Sequence, residues 1–161
     1  MANDQPLREH LLNLLRGNAG RRFETAMKDF PEDSMNVHPP NVDYTPWGLL
    51  EHLRYSLGDI AEYIRNPNYV NPRHPEDYWP PADQRADLAA WSGSMERYRA
   101  DLKFLEEMVA DPTTDLFAPM PNTPGHTIFR EVGLVVGHMS YHIGEFGILR
   151  QVMGTWPADH R

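Results

Sequence analysis

Apolar residues recur at three- and four-residue intervals in four separate stretches of the chain, the spacing that lines one face of an α-helix. The first stretch, about residues 6–29, places Leu12, Leu15, Ala19, Phe23, Ala26 and Phe30 on one side. The second, 46–65, carries Leu50, Leu53, Leu57, Ile60 and Ile64. Thr45 offers an N-cap hydroxyl there, and Pro46 suits the first helical position, where a missing N–H does no harm. The third, about 83–110, holds an unbroken heptad seam of Leu88, Trp91, Met95, Tyr98, Leu102, Leu105 and Val109. The fourth, about 126–153, puts Val135, His138, His142, Glu145, Leu149 and Val152 on one stripe, with Gly154 placed to stop it before Trp156-Pro157. No stretch alternates with period two, so strands are not expected. Four amphipathic helices predict an all-α four-helix bundle around one core, with Trp47 closing one end.

Twelve of the fifteen prolines fall in three connections, residues 31–45, 66–82 and 111–125. Each is long for a bundle, where roughly two to eight residues are usual. The second contains Tyr69, His74, Tyr78 and Trp79. At about 3.3 Å per residue it can run the length of a helix, so the second and third helices are free to lie parallel. The pattern leaves open whether its aromatics serve function or stiffen a connector.

At 161 residues the chain suits a single domain, 1–161, and 40% hydrophobic with 24% charged residues is a globular balance. A formal charge of −8 argues against nucleic-acid partners and against anionic membrane surfaces. There is no cysteine, which excludes disulfides, Cys-based zinc sites and a protein thiol nucleophile. MANDQPLREH has no basic segment followed by an apolar one, and no apolar run is long enough for a membrane span, so a cytoplasmic location is expected.

The chemistry centres on the fourth stretch. His138 and His142, one turn apart, lie on its apolar side. Burying two imidazoles and the Glu145 carboxylate there is unfavourable unless they have partners, and a metal ion is the simplest partner. A His-x-x-x-His pair alone is weak evidence, because functional sites usually take three protein ligands. His52, at the edge of the second stripe beside Leu49 and Leu53, is the best-placed third donor. Spacing alone favours a partly exposed histidine bonded to a neighbour. His38, His74 and His160 fall in loops or the tail, His10 near the first turn, and His126 about three turns from His138.

Tyr44-Thr-Pro-Trp47, Leu49-Leu-Glu-His52, His138-Met-Ser-Tyr-His142-Ile-Gly144, Leu149-Arg-Gln-Val-Met-Gly154 and Trp156-Pro157 together resemble the DinB-like superfamily of metalloenzymes. The likeness spans nearly the whole chain. It implies an up-down-down-up bundle with a long crossover between the second and third helices, and a divalent metal held by His52, His138 and His142. Glu145 stands where similar proteins often have glutamine. A carboxylate there can be a fourth ligand, a partner that orients a ligand, or a general base, or can pair with an arginine.

Three neutral imidazoles suit zinc or nickel and also accept iron, manganese or copper. They leave a position for water or substrate. Similar proteins imply two activities on small molecules, transfer of a low-molecular-weight thiol and hydrolysis. The rival expectation is a non-catalytic binding or stress-associated module whose site is structural or empty. Tyr141 and Tyr55, near the histidines in sequence, are expected to be packing residues before groups that orient substrate, and Met95, Met139 and Met153 to be filler before ligands. Gly133, Gly137, Ser140, Gly144 and Gly147 form a small-residue stripe beside the histidines. Glycine inside a helix costs about 1 kcal/mol relative to alanine, so close approach of another backbone is expected to offset it. A contact within the chain is the first expectation and a homodimer the second.

Overall fold

The computed structural model describes residues 4–120 and 123–160. Residues 121 and 122 of the third connection lie outside the described residues. The first apolar stretch forms α1 (Gln5–Leu14), then a π-helical segment from Leu15 to Arg21, then α2 (Arg22–Met27). Gly17 and Gly20, poor helix formers, sit in the widened segment. Leu11 is buried on this face while Leu12 is only half-buried.

α3 spans Pro46–Arg65, with Thr45 Oγ1 accepting the amide N–H of Gly48 at 3.0 Å as the N-cap. α4 spans Leu88–Ala110 and starts later than the heptad pattern suggested. Asp87 caps it by accepting the Ala90 amide at 2.7 Å, which leaves residues 83–87 outside the helix and Leu88 exposed. β1 (Pro119–Met120) and β2 (Thr123–Thr127) form an antiparallel two-stranded hairpin, where no strand was expected. Two and five residues are too short for an alternation to register. α5 spans Ile128–Met153, capped by Thr127 and ended by Gly154 in the left-handed region, φ 65°.

Contacts fix the direction of each helix. Arg8 in α1 donates to the carbonyls of Val109 and Asp111 at the far end of α4, and Arg99 in α4 pairs with Glu24 in α2, so the first unit runs antiparallel to α4. Ser94 donates to Glu51, and Arg65 faces Asp101 at 3.5 Å, so α3 and α4 run parallel. Tyr63 meets His126 at the start of α5, and Tyr44 meets Glu145 further along, so α5 runs back against α3. The order is up-down-down-up, and the crossover after α3 travels the length of the bundle.

The buried row of α5 is Val132, Val135, Met139, Ile143, Phe146 and Leu149. This corrects the expected stripe by about one residue of rotation. Val152 is 55% exposed, and His138, His142 and Glu145 lie half-buried at the edge of the core. Arg150 helps set that rotation. Its guanidinium is fully buried and donates to the carbonyls of Ala26, Lys28 and Thr155 at 2.8, 2.7 and 2.5 Å. No helix of the described residues is long and apolar enough to cross a membrane.

Candidate metal centre

His52 lies two turns into α3 and is buried at 8% exposure. His138 and His142 sit mid-way along the antiparallel α5, so the packing of these two helices brings all three rings to one level. Ring centroids are 5.3 Å apart for His52–His138 and 4.5 Å for each of the other two pairs, all edge to face. One ligand atom from each ring lies within 4.8 Å of the others. The remaining five histidines are elsewhere. His10, His38 and His74 are exposed, His126 bonds Tyr63, and His160 stacks on Trp156.

The hydrogen bonds around the rings determine their tautomers. The Glu145 carboxylate accepts from His142 Nδ1 at 2.7 Å, so that nitrogen carries the proton. The Tyr78 carbonyl accepts from His52 Nδ1 at 2.9 Å, so that nitrogen is protonated too. The two Nε2 atoms face each other at 3.2 Å, and when both rings are neutral each presents a lone pair there. Two lone pairs at this distance repel, and a proton or a metal cation between them relieves the repulsion. Two bonds of about 2.0–2.1 Å at a tetrahedral angle separate their nitrogens by roughly 3.3 Å. The donors present thus fit a divalent ion. His138 Nδ1 is also buried with no hydrogen-bond partner among the described residues.

Burial, with His142 and His52 beside it, lowers the His138 pKa to about 4. Burial also lowers His52, and its nearness to His142 acts the same way. Both rings are consequently neutral near pH 7, the form that binds metal.

Glu145 has both oxygens engaged, one by His142 and one by the Tyr44 hydroxyl. It orients a ring and stands outside the group of three donors. Burial, then the Glu145 carboxylate, raises the Tyr44 pKa, so Tyr44 remains a donor. Trp79 lies flat on His52, 4.2 Å between centroids and 8° between planes. Pattern reading placed Tyr78 and Trp79 in the aromatic crossover without assigning them a contact. It gave Tyr44 no role beyond opening the Tyr44-Thr-Pro-Trp47 motif of the resemblance, just before the α3 cap. Tyr141, expected to pack, is 69% exposed and meets His142 only edge-on at 4.8 Å. Tyr55 is half-buried beneath the Arg54 guanidinium, 3.9 Å from its ring centroid.

A cavity of about 310 Å³ adjoins the site, walled by Tyr44, Trp47, Trp79, Pro80 and Pro81. Two of these walls, Tyr44 and Trp79, are each in contact with the histidine cluster or its carboxylate. Of the α5 glycine stripe, only Gly147 lies against another part of the chain among the described residues, the Trp156 ring. Side-chain carbons built at Gly133, Gly137 and Gly144 meet nothing within 4 Å among the described residues.

No curated protein and no solved structure matches the chain. Residues 17–146 match the DinB superfamily, a span that includes all three histidines, Glu145, the whole of α3 and α5 as far as Phe146. With that match laid over a helical bundle and its histidine cluster, the chain belongs to the DinB superfamily.

Proposed function

We propose that the chain is a divalent-metal-dependent enzyme acting on a small molecule, by transfer of a low-molecular-weight thiol to an electrophile or by hydrolysis. The observation that carries this reading is the convergence of three imidazoles, one ligand atom from each within 4.8 Å of the others and two of the Nε2 atoms 3.2 Å apart. His52, His138 and His142 would hold the ion, and three imidazoles suit zinc, nickel, iron or copper without choosing among them. When bound, such an ion lowers the pKa of a coordinated water or thiol and polarises a carbonyl.

The chain's own residues do the rest. Burial keeps His52 and His138 neutral, so their lone pairs are available at neutral pH. Glu145 holds His142 in one tautomer, and Tyr44 holds Glu145. Three protein donors leave a position for a nucleophile. The nucleophilic sulfur of a thiol transfer comes from a cosubstrate, since the chain has no cysteine. That thiol gives its proton to solvent, its sulfur bonds the electrophilic carbon, and the leaving group departs with the bond pair. In hydrolysis, water supplies the oxygen instead and its proton goes to the leaving group. The neighbouring cavity is walled mostly by aromatic and proline side chains, with Asp43 and His38 but no lysine or arginine, which suits a largely apolar substrate body and disfavours an anionic one.

Cobalt-substituted protein tests the reading. A visible spectrum that changes on adding a small thiol supports an open site. A spectrum indifferent to thiols and anions means a closed shell and contradicts it.

The exposed face of α5 belongs to the same proposal. Gly133, Gly137 and Gly144 are flanked by exposed Leu134, Tyr141 and Ile148, and a second copy of this helix is the occupant that such a low face would admit.

A further inference from the structure

His52 is placed partly by a residue that never touches it. Its Nδ1–H donates to the Tyr78 carbonyl at 2.9 Å, and its ring is covered by Trp79. Both partners belong to the crossover after α3, whose regular structure is one short turn, Glu76–Tyr78. A ligand held by such a segment is only as well placed as the segment is.

The anchor lies on α3 itself. Asp59 follows His52 by seven residues, two turns further on and on the same side, about 10 Å along the axis. Its two carboxylate oxygens accept from the hydroxyls of Tyr69 at 2.5 Å and Tyr78 at 2.7 Å. Tyr78 is therefore bound to α3 at two points, by its hydroxyl to Asp59 and by its carbonyl to His52. Burial, then the carboxylate, raises both phenols above their ordinary value, and both stay donors. Glu145 braces His142 directly, whereas Asp59 acts on His52 at one remove, through the backbone of the residue it grips.

We propose that Asp59 is a positioning residue of the metal site, acting through Tyr78 to hold the carbonyl that orients His52. The inference rests on the metal-binding reading above for its purpose, but its geometry can be read without metal.

Two measurements test it. In chelator-treated protein, long-range proton–nitrogen NMR should find His52 as the Nδ1–H tautomer, and Asp59→Ala and Tyr78→Phe should each give a mixture. Zinc affinity, from competition with a chromophoric chelator, should weaken about 10- to 100-fold in both variants. Asp59→Asn, whose amide oxygen still accepts one phenol, should recover part of the loss. Tyr69→Phe, which leaves the Tyr78 bond in place, should change affinity by less than about threefold. Wild-type zinc affinity and an unchanged tautomer in Tyr78→Phe and Asp59→Ala, with only a lower melting temperature, would make the pair a loop staple and overturn the proposal. If wild-type protein binds no zinc, the metal reading fails separately, and the tautomer measurement still decides whether Asp59 orients His52.

Discussion

The two nitrogens of His142 do different work. Nδ1 donates its N–H to Glu145, and in the neutral ring that leaves the Nε2 lone pair towards His52. A carboxylate in this position makes the ring a better donor than a neutral acceptor would. Glu145→Gln should therefore weaken zinc binding by about tenfold and Glu145→Ala by up to about 100-fold. Isothermal titration checks this, and wild-type affinity in Glu145→Ala would refute the bracing role. A second prediction comes from protons. His138 has a folded pKa of about 4 against 6.5 for the free side chain. Between those values the unfolded chain binds a proton that the folded chain refuses. Stability of the metal-free protein is thus complete above about pH 6.5 and falls as pH drops towards 4, by on the order of 3 kcal/mol from this residue. Urea midpoints of wild type and His138→Leu at neutral and mildly acidic pH test it. Wild type should lose more stability on acidification than the variant, and equal losses would contradict the buried neutral ring.

At the scale of the element, the rotation of α5 decides whether its histidines face α3. Arg150 is part of what fixes it, through three carbonyls from α2, the residues after it and the chain beyond α5. Arg150→Met keeps the volume but leaves those carbonyls with no donor. Bonds to a charged group contribute about 1.5–3 kcal/mol each, so the variant should lose at least about 3 kcal/mol in chemical denaturation. A loss under about 1 kcal/mol would show that packing alone orients the helix. The same helix shows what could be read in advance. α3 was legible at both ends because Thr45, Pro46 and the leucine row agree. α5 was legible in extent but its apolar face was taken one position off, because His138, His142 and Val152 keep the same three-four spacing as the true core row. Histidine that clusters with other imidazoles and valine that faces solvent are indistinguishable from core residues by period alone. The three histidines could be picked out, whereas Tyr44, Tyr78 and Trp79 needed the path of two loops, which patterning does not specify. The Asp87 cap and the short hairpin escaped for the same local reason, since neither spans a full period.

For the whole molecule, the up-down-down-up order has one consequence that matters for chemistry. Parallel α3 and α4 require a crossover along the bundle, and that crossover supplies the ring and carbonyl that cover and orient His52. The order also leaves Gly133, Gly137 and Gly144 of α5 unpacked among the described residues. If a second copy covers it, light scattering should give a dimer for wild type and a monomer for Gly137→Leu with Gly144→Leu, while the metal content per chain stays the same. A monomeric wild type would remove the dimer from this account. The central claim is that three imidazoles from two antiparallel helices share one cation, and its most direct test is elemental analysis of protein purified without chelator or nickel resin, beside His52→Ala, His138→Ala and His142→Ala. One divalent ion per wild-type chain, lost in each variant, is the predicted result; a metal-free wild type, or metal retained in the folded His52 variant, would contradict it.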